Sequence, residues 1–183
     1  MVRNYLLLLK WANLRYNIIL LVVVLIAAIF HRNFWPFVYL LATNLFDVLG
    51  YFVVLRRLWG VRSLEVENTV VNINEGDLHS PIILPAYRVI QHMFDYLLFI
   101  FIWVVAGFKF ALAGAVLKWF ALQDLLFYWV VKYPLPETWT WLSWTPLGLF
   151  KLIFKKDISL ANDEVIYQGA VGVIVAILIL VVL

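Results

Sequence analysis

Two stretches of this chain, Ile18 to Phe30 and Ala170 to Leu183, carry no charged side chain, and they narrow the possible folds more than any other feature. A run of about 20 apolar residues crosses a hydrocarbon layer of ~30 Å as a helix. Inside such a layer only helices and closed barrels satisfy every backbone polar group. Three further apolar runs lie between these two, so spans are expected near residues 14–30, 34–55, 83–106, 110–133 and 164–183. The first is read as a retained span, although its length alone also fits a leader peptide. Composition supports the same reading: 66% of the 183 residues are hydrophobic and 14% charged, against about 45–50% and ~25% in soluble domains. A chain this short cannot bury that excess in water. The expected fold is all-α: one polytopic domain over residues 1–183, a bundle of about five transmembrane helices with one interfacial amphipathic helix.

Orientation follows from the basic residues, which are retained on the cytoplasmic side. With the N-terminus inside, Arg3, Lys10, Arg15, Arg56, Arg57, Arg62, Lys132, Lys151, Lys155 and Lys156 all fall inside, and only Arg32 and Lys109 outside. The net charge of +3 therefore reports topology rather than nucleic-acid binding. The C-terminus is expected on the opposite side. Short outer connections near His31 to Asn33 and Gly107 to Lys109 are the tightest demand of this scheme. Segment 56–82 is expected as a cytosolic loop, with Glu65, Glu67, Glu75 and Asp77 solvated. The Trp-rich segment 134–156 ends in Leu147 to Lys156, where lysines alternate with Phe150, Ile153 and Phe154, a pattern suited to an interfacial helix on anionic lipid.

Several chemistries are excluded early. The chain has no Cys, so disulfides, thiolate metal sites and cysteine nucleophiles are absent. Neither a Gly-x-Ser-x-Gly elbow nor a phosphate-cradling glycine loop occurs. Neither His31 nor His79 is placed to partner His92 in binding haem. Two carboxylates and one His could hold a divalent metal, but no motif spacing supports one, so no metal or other cofactor is assigned.

The polar groups inside the middle spans carry the functional reading. A charge at the bilayer centre costs at least ~2.5–3.5 kcal/mol and usually faces a protein interior or a wet cavity. At ~1.5 Å per residue, Asp47, His92 and Asp124 each lie roughly 13 Å from the cytosolic end of their span. Each lies on a polar stripe of its helix: Asn44, Asp47 and Tyr51 on the second span, Arg88, His92 and Asp95 on the third, and Asp124, Tyr128 and Lys132 on the fourth. If the stripes converge they line one pocket, with Arg88 and Tyr128 near its mouth and Asn44 and Asp95 at its floor. The competing role is interhelical hydrogen bonding, worth ~0.6–2 kcal/mol per bond. Lys118 is expected to snorkel outward along its helix, with pairing to Asp95 as the alternative. Ala111, Ala113, Gly114 and Ala115, and Gly172 with Ala176, mark close helix contacts.

A histidine beside a carboxylate is the usual proton-handling pair. The expected function is a membrane-embedded enzyme or binding protein for a lipid-like substrate. His92, Asp124, Asp47 and Asp95 are its catalytic candidates, and Arg88, Tyr128, Lys132, Asn44 and Tyr51 its substrate-binding ones. Membrane lipids are the expected partners, with other membrane subunits or a second copy as further possibilities. The alternatives are a small non-catalytic subunit of a membrane complex and a proton-coupled transporter. The transporter is disfavoured by the scarcity of polar groups in the outer halves of the spans and by the lack of an internal repeat.

Overall fold

The computed structural model describes residues 14–50, 80–131, 134–154 and 159–183, with residues 80–86 described by their backbone only. The described residues form seven α-helices: α1 Leu14–Phe30, α2 Trp35–Leu49, α3 Ser80–Ala106, α4 Phe108–Trp119, α5 Leu122–Val131, α6 Pro146–Phe154 and α7 Asn162–Val182. Two short strands, β1 Thr138–Trp139 and β2 Leu160–Ala161, pair antiparallel. Most of the expected loop 56–82, together with Tyr51 and Lys132, lies outside the described residues.

Five spans are expected from the sequence; among the described residues two helices, or three with a bent pair counted as one, qualify by length and apolarity. The segments that do are Tyr87–Ala106 within α3 and Asn162–Val182, and the bent pair α4–α5 makes a third if counted as one span. Helix α1 is apolar over the 17 residues that are described. The tight connections demanded by the sequence are present. A 3-10 turn, Arg32–Phe34, joins α1 to α2, and Pro36 follows in the first turn of α2, where its missing N–H costs nothing. Gly107 alone joins α3 to α4, with φ +119°, a conformation open to glycine and closed to most other residues.

Helix α4 lies at the centre, packed on α2, α3 and α7. Apolar helices gain little from association in lipid, so close van der Waals fit must hold them together. Small residues provide it. A Cβ added to Gly114 would stand 2.7 Å from Tyr39 Cβ and 3.3 Å from the Pro36 backbone, so α2 and α4 are in near backbone contact. One added to Gly172 of α7 would collide with Phe120 Cβ. Away from the polar residues, Ala28, Trp35, Val38, Ile102, Ala106 and Phe110 close one end of the bundle as an apolar cluster. At the same end, Lys109 donates from Nζ to the Leu180 carbonyl.

The expected straight fourth span, 110–133, requires correction. It is two helices, α4 and α5, meeting at 65°. Phe120 and Ala121 form the break, and Ala121 takes the left-handed conformation, φ +64°. That conformation costs an L-residue roughly 1–2 kcal/mol. Gly169 and Gly172 of α7 lie against the break, at Leu125 and Phe120. The fully buried Ala121 methyl sits in a cluster with Tyr128, Trp139, Leu142 and Leu160. Packing against α7 and the Trp-rich segment offsets the local cost.

The Trp-rich segment supports this break. It returns against the bundle. The β1–β2 pairing sets Trp139 beside Leu160, and Trp139 Nε1 donates to Asn162 Oδ1 at 2.7 Å. Further along, Trp119 Nε1 donates to the Trp144 carbonyl at 2.8 Å and the Leu147 amide to Gln168 Oε1 at 2.8 Å. Helix α6 does expose Phe150, Ile153 and Phe154. Lys151, expected to meet anionic lipid, instead turns inward to Glu164 Oε2 at 2.6 Å and the Ser159 carbonyl at 2.9 Å.

Candidate functional site

The 65° break swings α5 out of line with α4 and leaves room beside α3. The result is a cavity of about 860 Å³, within the usual size range for small-molecule sites. Helix α3 lines it with Arg88, Gln91, His92, Asp95, Tyr96 and Phe99, a set spaced by three and four residues and so on one helical face. Helix α5 contributes Gln123, Asp124, Phe127 and Tyr128, α4 contributes Ala115 and Lys118, and α2 contributes Tyr39 and Asp47. Trp141, Ser143 and Trp144 of the Trp-rich segment close the remaining wall.

Two hydrogen-bonded groups organise the polar side. In the first, Arg88 donates to Gln91 Oε1 at 3.0 Å. Gln91 and Gln123 in turn donate from their side-chain amides to the two oxygens of Asp47. One carboxylate thus ties α2 to α3 and α5. In the second, Lys118 Nζ lies 2.6 Å from Asp95 Oδ2, with side chains 13% and 14% exposed. His92 Nδ1 is 4.0 Å from the same oxygen. Asp124 stands in the first turn of α5, where free backbone N–H groups favour an acidic side chain, and Trp141 is its side-chain hydrogen-bond partner. Two acceptor atoms, Asp95 Oδ1 and Asp124 Oδ2, are shut from solvent with no hydrogen-bond partner among the described residues.

Of the nine residues singled out from the sequence, Asp47, Arg88, His92, Asp95, Asp124 and Tyr128 line this one cavity. Tyr51 and Lys132 lie outside the described residues. Asn44, expected at the pocket floor, is fully buried but does not line the cavity, and its side-chain atoms have no partner among the described residues. His92, expected in the middle layer, is on the rim with its side chain 65% exposed. Lys118, expected to snorkel, instead pairs with Asp95. Among the described residues no group of three His, Asp or Glu side chains is arranged to hold a metal ion.

The polar stripes expected from the sequence do not include Gln91 and Gln123. A polar residue within an apolar run is the signal that marks both. Tyr39, Ser143 and the tryptophans had no local signal, since their place on the cavity wall depends on long-range packing. Compared with protein families, curated proteins and solved structures, the chain matches none.

The cavity is chemically two-sided. Phe99, Phe127, Tyr96 and Trp144 offer apolar or amphipathic walls, while the carboxylates, Lys118 and Arg88 make the other side polar. Its rim includes the exposed His92, Tyr96 and Trp144, and the neighbouring Met93 and Leu97 of α3 are exposed apolar residues. Among the described residues, exposed apolar side chains thus border the cavity.

Proposed function

We propose that this is a five-span membrane protein, N-terminus cytoplasmic and C-terminus opposite, that admits a lipid-like amphiphile sideways from the inner leaflet and binds its polar head in the cavity. The observation that carries the reading is the pairing of a polar base with an apolar mouth. A soluble metabolite gains nothing from such an entrance, whereas an amphiphile can insert head first while its chain stays against α3. Membrane helices place buried carboxylates and lysines together mainly around functional sites. The apolar cluster at the far end argues against the transporter alternative, because a transported ion needs polar groups on both sides. In this reading Asp124 contacts the ligand head, and His92 with Asp95 is the proton-handling pair at the entrance.

The test is Asp124→Asn, which keeps the shape of the side chain and removes its charge. Native mass spectrometry of the wild-type protein is expected to show a retained amphiphile. The variant should bind it roughly 10- to 100-fold more weakly, as expected for loss of a charge-assisted hydrogen bond of about 1.5–3 kcal/mol, with a melting temperature within a few degrees of wild type. A wild type that retains nothing would assign the polar layer to helix packing instead; where the variant does not fold, retention by the wild type decides.

A further inference from the structure

We infer that the head group received by this cavity is a protonated primary amine; the inference rests on the amphiphile-binding reading above. It follows from which buried polar atoms on the cavity wall lack a partner among the described residues. Lys118 is engaged by Asp95, and Arg88 by Gln91. Asp47 accepts from both glutamines. What remains are Asp95 Oδ1 and Asp124 Oδ2, both buried and without a partner among the described residues. Both are carboxylate acceptors. Among the described residues that line the cavity, no donor nitrogen or hydroxyl is buried and left unpartnered.

A ligand completes such a site by bringing donors. A phosphate or carboxylate head would set its own anionic oxygens against two carboxylate oxygens that lack a partner among the described residues, with Lys118 already neutralised by Asp95. An ammonium brings three N–H donors and one positive charge. With all its carboxylates ionised and His92 neutral, the cavity sets Asp47, Asp95 and Asp124 against Arg88 and Lys118 and carries one negative charge. Burying an uncompensated charge is costly, and a cationic ligand removes that cost. Beside Asp124 the rings of Tyr128 and Trp141 stack with centroids 6.4 Å apart, and aromatic rings of this kind attract a cation. A quaternary ammonium would keep the charge but lose every donor, so primary and quaternary amines should be distinguished.

The experiment titrates the full chain in phosphatidylcholine nanodiscs with dodecylamine, dodecyltrimethylammonium, dodecyl phosphate and dodecanol at neutral pH. Heat is read by calorimetry and corrected with empty nanodiscs. Dodecylamine is expected to bind saturably and at least about tenfold more tightly than the other three, consistent with one charge-assisted hydrogen bond. Asp124→Asn should lose about that factor, while Asp163→Asn, an exposed control in the first turn of α7, should lose none. If dodecyl phosphate, dodecanol or the quaternary amine binds equally well or better, the amine assignment is overturned and amphiphile binding stands. Amine binding unchanged in Asp124→Asn also overturns the assignment. Should none of the four bind saturably, both readings fall. Where Asp124→Asn does not fold, the wild-type ranking of the four probes decides alone.

Discussion

Replacing Lys118 with Met is expected to lower the unfolding free energy by about 3–5 kcal/mol, the usual cost of stranding one partner of a buried ion pair. Lys118 Nζ is 2.6 Å from Asp95 Oδ2, and both side chains are largely shielded. Methionine preserves most of the apolar stem, so the loss isolates the ammonium. Asp95 would then keep only His92 nearby, at 4.0 Å and exposed. Adding Asp95→Leu to Lys118→Met removes the stranded charge, and the double variant should recover most of the stability. That recovery separates an ion-pair effect from a packing effect. Unfolding followed by circular dichroism in mild detergent measures both. A single variant that loses less than about 1 kcal/mol would place the pair in the weak class of exposed salt bridges. It would also agree with a lysine that snorkels away from Asp95.

The second large effect is on binding rather than folding. Ala115 lines the cavity beside Lys118, and Ala115→Phe projects a ring into space that is already empty. Destabilisation should therefore stay below the about 1–3 kcal/mol typical of overpacking a filled core. Ligand occupancy should be abolished, because the ring takes the volume the amphiphile needs. Retained binding in a well-folded Ala115→Phe protein would mean that the ligand lies elsewhere.

What could be read from the sequence, and what could not, has a common physical cause. The uninterrupted apolar runs fix their helices well: the expected spans 14–30, 83–106 and 164–183 correspond to Leu14–Phe30, Ser80–Ala106 and Asn162–Val182. The break in the fourth run was not legible. It falls at Phe120 and Ala121, with neither glycine nor proline to announce it, and alanine is the strongest helix former of all. The turn is imposed by tertiary contact, with Gly172 accommodating Phe120 and the buried Ala121 methyl packed beside Trp139.

The same distinction holds in the site. Asp47, Asp95 and Asp124 are conspicuous because a carboxylate in an apolar run is expensive wherever it points. Which partner each one meets is set by geometry that sequence spacing does not carry. Asp47 meets two glutamines from other helices, and Asp95 meets a lysine across the α3–α4 contact. His92 shares a helical face with Arg88 and Asp95, yet it sits at the edge of that face and so reaches the rim. The Trp-rich segment reads locally as interfacial. Its place on the cavity wall depends on the pairing of Thr138 with Ala161, two residues far apart in the chain.

The central claim is that the space between α3, the α4–α5 break and the Trp-rich segment is a binding chamber for an amphiphile. A density map of the protein purified in its native lipid tests this most directly. The account predicts elongated density inside the chamber, its compact end against Asp95 and Asp124 and its chain leaving past Tyr96. A chamber collapsed onto its own side chains, or filled by a helix of another subunit, would contradict it.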